Sequence, residues 1–353
     1  MDDEIHVVDL SAFKNNPDAH LDLCREVAKC LKNMGCVVVR DPRVSSAHND
    51  AFLDMMERYF EQDEACKMAE AHPELHYQVG VTPEGVEVPK CQTDPACLEE
   101  IARQPEQHRA QVPNGADPKW RYFWRVGERP LPSETRFEEL NSPPVVPANF
   151  PEFSTVMNQW GSMMISTVEL VAEMAAIGFD LPHDSFTSRM KKAPHLLAPT
   201  GTDLGKHHKP NQIFAGYHYD LNFLTIHGKA RFPGLYIWLR NGIRVPVKIP
   251  DGCLLLQAGK QFEWLTGGHV MAGMHEVIFS ESCDSALQKA RSEERSCWRV
   301  SSTLFGHIAS DVLLEPLGEF GVSPAADKYP PILCGEYVQN ELDAISLLRH
   351  KAV

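Results

Sequence analysis

Ala215-Gly216-Tyr217-His218-Tyr219-Asp220-Leu221-Asn222-Phe223-Leu224-Thr225-Ile226 is the stretch on which the fold of this chain turns. It is dense in aromatic and β-branched residues, which fit a pleated surface, so it reads as a strand or a pair of strands. Side chains two apart on a strand point to the same face, so His218 and Asp220 face one way and can share one metal ion. Further along, Met274-His275-Glu276-Val277-Ile278-Phe279 is another strand-like run that brings a second imidazole.

Two histidines and one carboxylate leave coordination positions open, the arrangement used by non-haem Fe(II) oxygenases; the same ligands also suit catalytic zinc. His218, Asp220 and His275 are therefore the candidate metal ligands and catalytic residues. Trp298-Arg299-Val300-Ser301-Ser302-Thr303-Leu304-Phe305 bears on the choice between the metals. Arg299 and Ser301 share one strand face, and a guanidinium fork beside a hydroxyl is suited to clamp a carboxylate. An iron site fed by a 2-oxo acid needs that clamp, whereas zinc hydrolysis has no general use for it.

Around these motifs the composition is that of an ordinary globular protein, with 43% hydrophobic and 23% charged residues in 353. No apolar run in the sequence reads as a membrane span, and Met1-Asp2-Asp3-Glu4 is the opposite of a basic signal-peptide head, so a cytoplasmic location is expected. A net charge of −14 disfavours a nucleic-acid or anionic-membrane surface. The expected partner is a small-molecule substrate, with no nucleic acid, membrane or protein partner implied. Ten cysteines without a Cys-x-x-Cys pair are expected to be reduced and mostly buried.

Outward from the centre, Ile5-His6-Val7-Val8-Asp9-Leu10 reads as a first strand, and Asn16-Pro17 as a helix start. Cys24, Val27, Leu31 and Met34 follow at helical spacing up to Gly35, and then Cys36-Val37-Val38-Val39 as a buried strand. Ala51, Phe52, Met55, Met56, Tyr59 and Phe60 form a second helical stripe of core type. Periodicity fades between 72 and 150, the mark of functional loops or disordered segments. Within it, Tyr77 and the basic, aromatic cluster Lys119-Trp120-Arg121-Tyr122-Phe123-Trp124-Arg125 make Tyr77, Arg121 and Arg125 candidate substrate contacts, the cluster being either a lid or packing on the core.

Phe153, Val156, Met157, Trp160, Met164, Val168, Val171 and Ala175 give the strongest helical stripe, closed by Gly178. From His195 to Gly306, short β-rich runs alternate with turns such as Asn241-Gly242 and Pro250-Asp251-Gly252. That pattern predicts a mainly β protein with flanking helices around a jelly-roll, cupin-like core. A single domain over 1–353 is expected: a helical and loop portion at 1–190, the metal-bearing core at 191–310, and a tail with a closing helix over Asn340–Leu348 at 311–353.

In their order and spacing, His218-x-Asp220, His275 and Arg299-x-Ser301 resemble the isopenicillin N synthase-like group of Fe(II)/2-oxoglutarate-dependent dioxygenases. Pro233-Gly234-Leu235-Tyr236-Ile237-Trp238 and Leu265-Thr266-Gly267-Gly268 match intervening stretches of that family, and the likeness covers nearly the whole chain. It implies a double-stranded β-helix, Fe(II) on His218, Asp220 and His275, O₂ and 2-oxoglutarate as co-substrates, and Arg299 and Ser301 on the far carboxylate of 2-oxoglutarate. Oxidation of a small molecule, by hydroxylation or else desaturation or ring closure, would release succinate and CO₂. The chain departs from the pattern at Leu197-Ala198-Pro199-Thr200, where the family often has Tyr-Pro-Pro, at Lys260 in place of an aspartate, and at Glu276 in place of an arginine. Two alternatives stand beside this reading: an Fe(II) oxidase or cyclase that takes no 2-oxoglutarate and binds its substrate's carboxylate with Arg-x-Ser, and a non-catalytic binding protein on the same fold.

Overall fold

The computed structural model describes residues 7–15 and 20–345. Its strands are β1 (Val7–Asp9), β2 (Cys36–Arg40), β3 (Gly80–Thr82), β4 (Trp120–Val126), β5 (His195–Leu197), β6 (Thr200–Asp203), β7 (Ile213–His218), β8 (Leu224–His227), β9 (Leu235–Trp238), β10 (Arg244–Pro246), β11 (Leu254–Ala258), β12 (His275–Ile278), β13 (Trp298–Val300), β14 (Thr303–Gly306), β15 (Leu313–Leu314) and β16 (Ile332–Leu333). Nine helices accompany them among the described residues: α1 (Ser11–Asn15), α2 (Leu21–Met34), α3 (Ser46–Phe60), α4 (Glu64–Met68), α5 (Pro95–Arg103), α6 (Phe153–Gly178), α7 (Lys260–Leu265), α8 (Glu281–Ser292) and α9 (Cys334–Ala344).

A large mixed sheet runs β1-β2-β11-β8-β14-β5-β4-β6-β13, with β3 beside β4, and a smaller sheet runs β10-β9-β12-β7. Together they form the double-stranded β-helix expected from the strand pattern, with helices packed outside. The 26-residue α6 lies behind β4, β5, β8 and β14 and is clasped by α2 and α3. By length and composition this helix is apolar enough to cross a membrane, which corrects the expectation that no such run exists; its stripe is buried inside the protein instead. Gly178 sits at its end for a packing reason. A Cβ there would lie 2.2 Å from the Cys24 carbonyl oxygen and 2.7 Å from the Ala28 Cβ, so only glycine lets α2 and α6 approach this closely.

The amino-terminal strand forms over Val7–Asp9, Ile5 and His6 lying outside the described residues, and the helix and second strand follow as read. Gly35 ends α2 in a left-handed conformation at φ 72°, its N–H donating to the Leu31 carbonyl. In α3 the stripe is buried except Ala51, which faces solvent, while Leu53 takes a core position. Asn16-Pro17 and residues 346–348 of the proposed closing helix lie outside the described residues; the described part of that helix is α9.

The region 72–150 is more regular than its composition implies. Lys119–Arg125 is no lid: β4 pairs with β5 and β6 inside the large sheet. Alternation explains the mixed composition, since Trp120, Tyr122 and Trp124 turn to the main core while Arg121 and Phe123 turn to the barrel interior. The cysteines also differ from expectation at one place. Cys91 and Cys97 pair as a disulfide, while Cys66 is exposed, Cys297 is half-buried and the other six are buried free thiols.

Candidate metal centre and active site

His218 ends β7 and His275 begins β12, and the antiparallel register sets them opposite each other. Their ring centroids are 4.1 Å apart. Asp220 follows β7 directly, and its Oδ1 lies 3.7 Å from the Nε2 of each histidine. The three ligand atoms lie within 4.8 Å of one another, the one such grouping of three among the described residues.

Neighbouring groups prepare each of these for a cation. The Nδ1–H of His218 donates to the Gly216 carbonyl at 2.6 Å, which leaves the Nε2 lone pair free. His275 leans its Nδ1 on the Gly273 carbonyl at 3.4 Å in the same way. Thr225 donates its hydroxyl to Asp220 Oδ2 at 2.6 Å, fixing the carboxylate so that Oδ1 faces the histidines. Burial and the neighbouring His275 push His218 down to about 3, so it stays neutral. Burial works against the Asp220 anion, yet His275, His218 and the Thr225 hydrogen bond hold its carboxyl below the usual range. Two imidazoles and an ionised carboxylate are the donor set a divalent iron takes, and the residues fit it.

The triad opens into a cavity of about 500 Å³ between the two sheets. Arg299 and Ser301 line it from the β13 side. The Arg299 Nε–H donates to the Pro233 carbonyl at 2.9 Å, and Ser301 Oγ accepts from the Thr200 N–H at 3.0 Å. Both side chains are thereby oriented where they line the cavity. Burial lowers Arg299 to about 10, which keeps it a cation at neutral pH.

The remaining candidates divide. Arg121 lines the cavity, its guanidinium 3.9 Å above the Phe123 ring and paired with Glu87. Arg125 does not reach it: its Nη2 donates to the carbonyls of Glu128 and Lys192, and burial lowers it to about 9. Tyr77 does not either, being packed in the main core at φ 55°, and the adjacent Gln78 lines the cavity instead. A polar loop after β6 carries His207, which is held by Glu84 at 2.8 Å and by Gln212 at 3.1 Å and is not part of the triad's ligand set.

Several wall residues escaped the sequence reading. Lys119 bridges Asp117 at 2.7 Å and Glu87 at 2.9 Å. Against the pull of burial, Arg121 and Lys119 hold the Glu87 carboxyl at about 2. Asp117 Oδ1 also accepts the Gly216 N–H at 3.2 Å, so the network braces the peptide that orients His218. Period-two alternation of basic and aromatic residues was the available signal for Lys119 and Arg121; nothing marked Glu87 in its irregular segment. In the Leu197-Ala198-Pro199-Thr200 stretch, Leu197 packs in the main core and Thr200 lines the cavity; the preceding Leu196 lines it too, and His227 reaches it from β8 with its Nδ1 3.1 Å from Thr303 Oγ1. Lys260 pairs with Glu263, and Glu276 with Arg244, so both charged departures from the family pattern have a local partner.

A His-Asp-His group that can hold a metal inside a double-stranded β-helix, with an arginine and a serine lining the same cavity, is the arrangement non-haem Fe(II) oxygenases use. The profile described as "non-haem dioxygenase in morphine synthesis N-terminal" matches residues 5–149. A curated relative, the 2-oxoglutarate-Fe(II) type oxidoreductase ppzD of Metarhizium rileyi (strain RCEF 4871), is 22% identical over 96% of this chain and 90% of its own. The fold matches a 2OG-Fe(II) oxygenase family protein from Caulobacter crescentus at TM-score 0.74 and 24% identity, over 97% of this chain and 99% of that one. It also matches a full-length Neurospora crassa protein solved with alpha-ketoglutarate, at TM-score 0.74 and 15% identity, over 97% and 98%. In sequence the chain is thus similar to a 2-oxoglutarate-Fe(II) oxidoreductase and to a non-haem dioxygenase amino-terminal region, and in fold to 2-oxoglutarate-Fe(II) oxygenases.

Proposed function

We propose that this oxygenase oxidises a small molecule at a C–H bond, by hydroxylation as the default outcome, with release of succinate and CO₂. The observation that carries the reading is the placement of His218, Asp220 and His275 at one end of the cavity with Arg299 and Ser301 on its wall. In this assignment the three residues hold Fe(II), Arg299 and Ser301 hold the far carboxylate of 2-oxoglutarate, and Arg121 stands on the substrate side. Bound iron supplies the oxygen-activating redox chemistry.

The chain's own part is positioning. Gly216 and Thr225 orient two of the ligands, and Phe123, Leu196 and Phe305 give the cavity apolar wall that excludes water from the reacting carbon. A cavity of about 500 Å³ is of a size for a small substrate. A small substrate also accords with the Neurospora crassa neighbour, which has been solved with thymine.

The test is anaerobic titration of the Fe(II)-loaded protein with 2-oxoglutarate, followed by the visible charge-transfer band of the chelate. A band is expected in the wild type. Arg299→Ala should retain iron but bind 2-oxoglutarate weaker by about 2–5 kcal/mol, as when one partner of a buried charge pair is removed. Absence of the band with iron demonstrably bound would instead favour an oxidase or cyclase that takes no 2-oxoglutarate.

A further inference from the structure

Among the described buried side chains with a polar atom that makes no hydrogen bond, Glu87, Arg121 and His227 line the cavity. Glu87 is ion-paired with Arg121 and Lys119, so its charge is met. Arg121 is different. Its Nη1 faces Glu87, while its Nε and Nη2 are buried without an acceptor. Those two nitrogens form the side-on fork of a guanidinium, two parallel N–H donors whose natural complement is a planar carboxylate. Stacking on Phe123 fixes the plane of the fork.

An ion pair kept only for structure has no need of this. The Glu87 carboxylate is already met by Lys119, and each buried donor without an acceptor is destabilising. Nor does the co-substrate supply the acceptor. 2-Oxoglutarate has two carboxylates, and the proposed function places one at the triad and the other at Arg299 and Ser301. Arg121 stands opposite Thr200, the residue whose N–H binds Ser301, one strand removed from that clamp. The network it belongs to reaches β7 through the bond from the Gly216 N–H to Asp117. A ligand on Arg121 therefore shares the cavity with the metal ligands and sits one strand away from the Arg299–Ser301 clamp.

We infer that the substrate of this enzyme is a carboxylic acid and that the Arg121 fork binds its carboxylate. The inference rests on the proposed function. The two nitrogens are covered in this structure, so the carboxylate engages them with a local shift of the guanidinium.

The test uses three acids, phenylacetate, 4-phenylbutyrate and octanoate, each against its own primary amide, which has nearly the same shape and no charge. Binding is read in two ways: as the perturbation of the visible band of the anaerobic Fe(II)–2-oxoglutarate protein, and as the thermal shift of the Mn(II)-loaded protein. At least one acid is expected to bind wild type tenfold or more tighter than its amide. In Arg121→Met its affinity should fall on the order of 30-fold and the preference for acid disappear, with the 2-oxoglutarate titration unchanged. Arg121→Met/Glu87→Gln removes both charges of the pair and serves if the single variant does not fold. The inference is overturned if no acid is preferred over its amide, if the preference survives in the arginine variants, or if those variants lose 2-oxoglutarate binding, which would give the fork to the co-substrate. A wild type that binds iron but never 2-oxoglutarate would sink the reading beneath it, while the acid–amide comparison on the Mn(II) protein would still report on Arg121.

Discussion

Thr225 sits in an apolar strand, fully buried, and its hydroxyl makes its shortest bond, 2.6 Å, to Asp220 Oδ2. Partners of this kind, bound to a ligand rather than to the metal, typically govern metal affinity by about 10–100-fold. Thr225→Val keeps the shape and removes the donor. Mn(II) or Fe(II) affinity should fall by about that factor with the fold intact by circular dichroism; an unchanged dissociation constant would mean Asp220 is held by packing alone. At this scale the sequence spoke clearly about His218, Asp220, His275, Arg299 and Ser301, because pairs two apart on strands carry their geometry with them. It was silent on Glu87, because contacts between residues far apart in the chain leave no local spacing to read.

Elements were legible where one periodicity dominates. The stripe of α6 and the run of β2 were each read from their own residues, whereas β4 was taken for loop because its alternating faces are aromatic and basic rather than apolar and polar. Gly178 reads as a stop in sequence but acts as a spacer between α2 and α6. Gly178→Ala should therefore destabilise the protein by about 1–3 kcal/mol through overpacking, seen as a lower urea midpoint at constant slope. A change within a few tenths of a kcal/mol would show that the two helices can part freely.

A different sensitivity belongs to the junction of β5 and β14. The backbone N–H of His307 donates to His195 Nδ1 at 3.0 Å, a bond that needs His195 neutral. Burial pushes both histidines down to about 3. Since their folded values lie below the unfolded value of about 6.5, stability is full above that pH. It falls as the pH drops from about 6.5 towards 3, because only the unfolded chain takes up the protons. The slope is about 1.4 kcal/mol per pH unit for each histidine. His195→Asn, whose amide oxygen can take the Nδ1 position, should remove one histidine's share from a series of urea melts between pH 7 and 4.5, and an unaltered slope would exclude His195 as a source of acid sensitivity.

Across the whole molecule the active site is assembled from both halves of the chain. β2 pairs with β11, β4 lies between β5 and β6, and Tyr219, between two metal ligands, donates to Glu341 of α9 at 3.0 Å while accepting from Lys90 at 2.8 Å. The portion over 1–190 thus contributes sheet to the core, and α9 contributes wall to the cavity. Such an arrangement unfolds as one unit, and a ligand in the cavity stabilises all of it. Anaerobic calorimetry of the Mn(II)-loaded protein should give a single transition. With 2-oxoglutarate at a hundredfold its dissociation constant, that transition should rise as a whole by an amount corresponding to about 2.7 kcal/mol, a shift of several degrees. Glu341→Gln weakens the tie between α9 and the triad and should leave one transition with a smaller 2-oxoglutarate shift. Two resolved transitions, only one of them moving with the ligand, would mean that the amino-terminal portion and the barrel fold as separate bodies and that the cavity walls they share are brought together by docking.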